Sequence, residues 1–420
     1  MEHFQQLGDE LELTWRAADY DEEQFPALAA EALKKAELPS KVSAWDVIDW
    51  SLQQQELPPQ RDLPGKFGDP PVTLYSGPRF HVDVYFWFEG TTAIHQHGFA
   101  GAFQVLLGSS IHSWYTFAQR RVVNSFTQIG DMSLKVCELL EVGDVQELWP
   151  GQNYIHSLFH LDYPSATIVV RTDKSALYLP QFSYHKPSLA IDPFFEQATT
   201  TKKLQVITAA YRANMPDVDT VAARMLAETD LQTTFQLLGQ LRMLLRSNGL
   251  EQIFKVDAEG SRFERLMDVV RERHGDAADD LAAVFKWYDM LDEMRLRRTL
   301  VTDPEQRFFM ALLLNVDERS RIFELITKRY PDADPLEKSL DWIFDLANTR
   351  VMGHDGSSNA LGIEGFGDVE MLVLEELLQG KTDEQAIEDV HAQRPELTPE
   401  ALDASVNKIR SAVIFRPLLT

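Results

Sequence analysis

The chain has 420 residues, of which 44% are hydrophobic and 25% charged, and it carries a formal net charge of −25 at pH 7. This length exceeds a typical single core and predicts two or three domains. The acidic excess argues against nucleic acid or an anionic membrane as a general partner. The single cysteine, Cys137, excludes an internal disulfide. With no leader-like or membrane-length apolar run in the sequence, we expect a cytoplasmic protein.

Residues 1–70 are predicted to form an N-terminal helical cap and a linker. Apolar residues recur at helical spacing in Phe25–Lys34 and again in Ser43–Leu52. The segment Leu57–Pro71 is rich in proline and glycine. Such a composition interrupts regular structure, so it separates the cap from the next unit.

Residues 71–190 are predicted to form an antiparallel β-barrel. Phe80–Phe88 and Phe103–Leu107 are runs of apolar and β-favouring residues. Runs of this kind fill the wall of a small closed barrel.

Residues 195–350 have a helical pattern and are predicted to form a helical domain. Asp303 and Asp334 each precede a proline and an apolar run, which is the pattern of a helix N-cap followed by proline at the first helical position. The segment Asp230–Arg246 places leucines on overlapping helical faces, so we expect it to be buried on more than one side.

Residues 366–420 are predicted to form a small helical module. Three helices are expected over Val369–Leu378, Thr382–His391 and Pro399–Val413, in an order that weakly resembles a winged-helix module. The excess of acidic residues argues against DNA binding by this module. We therefore expect the helical C-terminal region to serve a structural role, to form a homo-oligomer or to dock a protein partner.

Three histidines dominate the chemistry of the predicted barrel. His95 and His97 stand two residues apart, and side chains at that spacing on a strand point to the same face. His156 follows a Pro-Gly turn and would add a third imidazole from a neighbouring strand. A lone histidine on an apolar strand is more often a hydrogen-bonded core residue, but this combination predicts a metal site.

These residues resemble the cupin family and, within it, the thiol dioxygenases of the cysteine dioxygenase type. Phe86–His97 is similar to the first metal motif of that group, Gly101–Gly108 to the following strand and turn, and the region from His156 to Val170 to the second motif. The resemblance covers roughly residues 70 to 190. It implies an α+β protein with a cupin-type barrel, in which His95, His97 and His156 bind iron(II).

The sequence departs from the family at the residues after the histidine pair. Many cupins place a carboxylate ligand where this chain has Gly101 and Ala102, so a fourth protein ligand is not expected. Ala102 also rules out the cysteine–tyrosine crosslink of some cysteine dioxygenases. Three neutral imidazoles leave an ion its full positive charge, which favours anionic ligands in its open positions. Imidazole also suits zinc, nickel and copper, and manganese is a further possible metal, so iron rests on the resemblance.

Four further residues are candidates for binding substrate. Arg171 ends the strand after His156, and its guanidinium is suited to bind a carboxylate. Arg79 is the second candidate for that role. Gln104 and His112 are candidates for lining the pocket.

Three functions remain open from the sequence. The leading hypothesis is a metal-dependent oxygenase, using iron(II) on a small anionic thiol or hydroxy acid. The second is a metal cupin that catalyses isomerisation or hydrolysis, with the ion as a Lewis acid. The third is a metal or ligand sensor whose helical half docks a partner.

Overall fold

The structure is a computed structural model that describes residues 1–63, 68–88, 90–246, 259–349 and 359–420. It is an α+β protein with a closed, cupin-like antiparallel β-barrel, helices that precede the barrel and a large helical region that follows it. The predicted fold class is confirmed. None of the described helices combines the length and the apolar composition that a membrane span requires.

The N-terminal helices cover one face of the barrel. They are α1 (Glu2–Ala17), α2 (Phe25–Ala36), α3 (Leu38–Lys41) and α4 (Ala44–Gln53). Ser43 begins α4 with a capping box, in which its hydroxyl accepts the Asp46 N–H and the Asp46 carboxylate accepts the Ser43 N–H. The predicted cap helices are therefore present. Residues 64–67 of the predicted linker lie outside the described residues.

Twelve named strands among the described residues form two sheets. They are β1 (Pro71–Ser76), β2 (Phe80–Trp87), β3 (Gly90–Thr91), β4 (Ile94–His97), β5 (Gly101–Leu107), β6 (Ser110–Asn124), β7 (Thr127–Leu140), β8 (Val145–Leu148), β9 (Gly151–His160), β10 (Ser165–Thr172), β11 (Ser183–His185) and β12 (Leu189–Ile191). The first sheet has the order β1-β2-β10-β5-β8, and the second has the order β3-β9-β4-β11-β12-β7-β6. Strand β6 also pairs with β9, which closes the second sheet on itself.

Strand β2 shows how the first sheet is buried on both faces. Phe80 and Val82 belong to the same hydrophobic cluster as the N-terminal helices. Tyr85 and Trp87 point to the opposite face and line a cavity inside the barrel. Side chains alternate between the two faces of a strand. One set of alternate residues in β2 therefore packs against the N-terminal helices, and the other set faces the inside of the barrel.

The helices after the barrel begin where local signals predicted them. They are α5 (Ala198–Arg212), α6 (Val218–Glu228), α7 (Leu231–Arg246), α8 (Glu259–His274), α9 (Ala277–Leu300), α10 (Pro304–Asn315), α11 (Arg319–Arg329), α12 (Pro335–Asn348), α13 (Asp368–Leu378), α14 (Asp383–Gln393) and α15 (Pro399–Ser411). The carboxylates of Asp303 and Asp334 each accept two backbone N–H groups at the start of α10 and α12. Both predicted N-caps are confirmed.

The helical region shares its core with the barrel. Every residue from Phe308 to Leu314 in α10 is buried, and this cluster includes Ile111 and Leu139 from the barrel wall. A second cluster joins α5 to α9 with Leu189 and Ile191 of β12. Residues 359–420 contain three packed helices and no strand, so the wing of a winged-helix module has no counterpart in them.

Candidate metal centre

Strands β4 and β9 bring the three predicted ligands together. His95 lies directly opposite His156 in the antiparallel pair, and His97 lies two residues further along β4 on the same face. One ring nitrogen from each of the three residues lies within 4.8 Å of the others. All three side chains are buried, with at most 7% of any residue exposed.

The hydrogen bonds around the cluster set which nitrogens face its centre. His95 Nδ1 lies 2.7 Å from the Ala93 carbonyl oxygen, which can only accept, so Nδ1 carries the proton and Nε2 keeps its lone pair. His97 Nε2 and His156 Nε2 are 2.9 Å apart. Two imidazole nitrogens that bind the same ion, each at about 2.1 Å and with a nitrogen–ion–nitrogen angle of roughly 90°, would lie about 3 Å apart. The geometry therefore fits a divalent metal.

Burial keeps these imidazoles uncharged. It lowers the pKa of His95, and it lowers the pKa values of His97 and His156 well below the usual range for histidine. The neighbouring His95 imidazole and the Arg171 guanidinium lower the pKa of His97 further. A neutral imidazole has the lone pair that metal binding requires.

A buried hydrogen-bond chain lies behind His156. The Glu138 carboxylate accepts a hydrogen bond from His112 Nδ1 at 2.9 Å, so His112 Nε2 is an acceptor. That nitrogen lies 3.1 Å from His156 Nδ1 and 3.0 Å from the Tyr154 hydroxyl. His156 Nδ1 is thereby fixed as a donor, which leaves its Nε2 lone pair directed toward the cluster.

The absence of a fourth ligand at position 101 has a steric reason. A Cβ built on Gly101 would lie 2.1 Å from the Val170 carbonyl oxygen of the adjacent strand β10. That separation is far inside van der Waals contact, so no carboxylate side chain fits there without moving a strand. Ala102 points to the other face and packs with the N-terminal helices.

A small cavity of about 40 Å³ adjoins the histidines. A water molecule needs about 10–15 Å³ by the same measure, so the cavity has room for about three waters or a ligand of a few heavy atoms. Its wall is mainly apolar and aromatic, and it includes no carboxylate among the described residues. The lining residues are Tyr85, Trp87, Thr92, His95, His97, Phe99, Phe103, Leu148, His156, Leu158, Thr167, Val169 and Arg171.

Arg171 supplies the charge of this cavity. It stands near the end of β10 on the same face as Thr167 and Val169, and its guanidinium carbon lies 3.8 Å from the centre of the Phe99 ring. Its Nε is buried without a hydrogen-bond partner. A guanidinium held in an apolar wall with an unused donor is suited to bind an anion.

Three of the predicted substrate residues lie away from the cavity. The Arg79 guanidinium lies outside the barrel, 4.0 Å from the centre of the Tyr20 ring. Gln104 is on the face of β5 opposite Phe103 and donates to the Gly143 carbonyl. His112 contacts His156 at Nδ1, on the side of the ring that faces away from the histidine cluster. Of the four candidates, only Arg171 is among the described residues that line the cavity.

Sequence reasoning missed two groups of residues. One group is Tyr85 and Trp87 of the cavity wall, which alternate with outward-facing apolar residues along β2. This alternation with a period of two is visible in the sequence and could have identified them. Glu138 lies on β7, directly opposite His112 on β6. No local signal marks Glu138, because its pairing depends on the register of two long strands.

Comparison with known proteins adds only fold-level likeness. The chain matches no family model and no curated protein sequence. A cupin-2 domain protein from Shewanella frigidimarina is 13% identical over 32% of this chain and 98% of its own, with a TM-score of 0.19. A double-stranded β-helix protein from Klebsiella pneumoniae is 15% identical over 29% of this chain and 85% of its own, with a TM-score of 0.18.

A third solved structure is described as that of DMSP lyases. It is 16% identical over 25% of this chain, with a TM-score of 0.18, and this chain spans 48% of its length. At such identities and TM-scores the neighbours carry no argument about activity. The description of the barrel as cupin-like rests on its own strand order and closure.

Proposed function

We propose that this protein is a metal-dependent oxygenase that uses iron(II), held by His95, His97 and His156, on a small substrate with a carboxylate and a thiol or hydroxyl group. The observation that carries the proposal is the juxtaposition of three buried neutral imidazoles with one guanidinium in a small, otherwise apolar cavity. The choice of iron and of oxygen chemistry is supported by the resemblance of the histidine motif to the thiol dioxygenases.

Arg171 would hold the substrate carboxylate. Charge-assisted hydrogen bonds from a guanidinium are worth about 1.5–3 kcal/mol each in a setting shielded from water. No carboxylate lines the cavity among the described residues, but the Asp83 carboxylate, which is buried on the adjacent strand β2, interacts electrostatically with Arg171. The volume of about 40 Å³ limits the part of the substrate that enters the cavity to a few heavy atoms in all.

The apolar wall would exclude water from the reacting groups. Phe99, Phe103 and Leu158 contribute to this wall, and each is buried. A bound iron(II) ion would supply an electrophilic centre that accepts anionic substrate groups and exchanges electrons with dioxygen. The hydrogen-bond chain through His112 would keep the His156 ring in one orientation and one tautomer.

Metal analysis and oxygen uptake test the proposal. Protein purified without chelator should contain about one divalent transition metal per chain, and single alanine variants of His95, His97 and His156 should each lose most of it. Iron-loaded protein should consume oxygen with at least one compound from a panel of small thiol and hydroxy carboxylates. A surface variant, His3→Ala, serves as the matched control.

The possible outcomes separate the candidate functions. Full metal retention in all three histidine variants would remove the metal site. Turnover of a panel compound without oxygen would favour isomerisation or hydrolysis. Failure of the whole panel to bind or to consume oxygen, with iron shown to be present, would favour a sensor or scaffold.

A further inference from the structure

A second, larger cavity lies apart from the metal centre, where the barrel meets the helical region. It has a volume of about 870 Å³ and lies between the tip of the β6–β7 hairpin and helices α5 and α7. No residue of its lining is shared with the metal cavity. We call this cavity the amide groove, after Gln197 and Gln205 at α5 and Gln232, Gln236 and Gln240 on α7.

The lining of the amide groove is polar but nearly uncharged. Glutamine and threonine side chains make up much of both helical walls, and the charged residues are Glu196, Arg212 and Asp230. The Asp230 carboxylate is already engaged, because it accepts the N–H and the hydroxyl of Thr233. The groove is therefore suited to a ligand that offers neutral donors and acceptors rather than a net charge.

One glutamine in the groove is buried with an unused hydrogen-bonding group. Gln232 is 4% exposed, its Oε1 accepts a hydrogen bond from the Thr127 hydroxyl, and its Nε2 has no partner. Reversing the amide would leave the oxygen unpartnered instead, so one amide atom lacks a partner in either orientation. A buried amide group without a partner costs about 1–3 kcal/mol, and a ligand in the groove would remove that cost once the Gln232 side chain turns toward it.

The spacing of the glutamines matches an extended peptide. Gln232, Gln236 and Gln240 are four residues apart on α7, so they form one row with a rise of about 6 Å per step. In an extended chain, peptide groups that face the same side repeat every two residues, or about 6.7 Å. Over the two steps of the row the mismatch is about 1.4 Å, which flexible glutamine side chains can absorb.

The chemistry of the side chains also matches a peptide backbone. Each side-chain amide presents a donor and an acceptor, as each peptide group does. At the margin of the groove, Phe126 and Phe195 are stacked with ring centroids 3.9 Å apart, which presents a flat apolar surface to one ligand side chain. We infer that the amide groove binds an extended, uncharged segment of about five residues from a partner protein, through its main chain.

Peptide selection tests this inference. Random dodecapeptides displayed on phage would be selected on the full-length wild-type protein and counter-selected on the double variant Gln236→Leu, Gln240→Leu. Affinities of the enriched peptides would then be measured by fluorescence anisotropy. We expect Gln236→Leu and Gln240→Leu each to weaken binding at least tenfold. Gln53→Leu, an exposed glutamine on α4, is the matched control and should leave binding unchanged.

Several results would overturn the inference. One is that no peptide is enriched on the wild type over the double variant. Another is that the enriched peptides bind the single variants as tightly as the wild type. Binding on a glycan array that the double variant loses would assign the groove to carbohydrate instead. Since Gln232 is buried, its replacement could unfold the protein, so the half-buried Gln236 and Gln240 carry the test, with circular dichroism as the folding check.

Discussion

Glu138 offers a sharp test of how the metal centre is held, because it acts on the ligand His156 only through His112. Its carboxylate accepts from His112 Nδ1 at 2.9 Å, and His112 Nε2 in turn lies 3.1 Å from His156 Nδ1. Replacing a group that orients a metal ligand typically costs 10- to 100-fold in metal affinity. We therefore expect the loss of metal affinity on replacing a residue of the chain to be larger when that residue contacts His156 directly.

The two positions should differ in magnitude. The Glu138 side chain is 37% exposed, so water can replace part of its interaction, and we expect Glu138→Gln to weaken metal binding by about tenfold, or ~1.4 kcal/mol. His112 is 1% exposed and contacts His156 directly. We expect His112→Phe to weaken binding by about 100-fold, or ~2.7 kcal/mol.

Non-additivity is the decisive measurement. In the His112→Phe background, Glu138 has no imidazole to orient, so adding Glu138→Gln should change affinity by less than about twofold. Affinities would be measured by competition for zinc against a chromophoric chelator at neutral pH. Glu147→Gln is the matched control, because Glu147 accepts from Trp149 rather than from the histidine chain. A full tenfold loss from Glu138→Gln in both backgrounds would refute the chain.

The substrate cavity, the barrel wall and the buried histidines each allow a further test. Arg171→Gln should weaken carboxylate binding to the metal-loaded protein at least tenfold by titration, while Arg79→Gln, on the exterior, should not. Gly101→Ala should lower the free energy of unfolding by about 1–3 kcal/mol in denaturant titration, since its Cβ would overlap β10; an unchanged value would contradict this. Burial lowers the pKa of His160 to about 3 and of His185 to about 4. Between about pH 6.5 and 4 the unfolded chain binds more protons at these groups, so stability should fall with falling pH by about 1.4 kcal/mol per unit for each. His160→Gln should reduce the slope of the free energy of unfolding against pH. Identical slopes in the variant and the wild type would show that the buried imidazole does not contribute to this pH dependence.

Features that depend on residue type and short spacing could be predicted from the sequence. The pair His95 and His97 must share a face of any strand that carries them, because the side-chain period of a strand is two. Asp303 and Asp334 cap their helices through backbone groups only two or three residues away. The barrel and the helical C-terminal region were predictable for the same reason, since alternation and helical periodicity are local signals.

Which distant residues share a site could be seen only in the folded structure. Arg171 and Arg79 have the same guanidinium, but the register of β10 turns one into the cavity, while the other lies against a ring of the N-terminal cap. His112 is on a strand that neighbours His156, yet its ring lies behind the ligand, where Glu138 meets it from a third strand. Long-range register fixes these contacts, and a shift of one residue would turn each side chain to the opposite face.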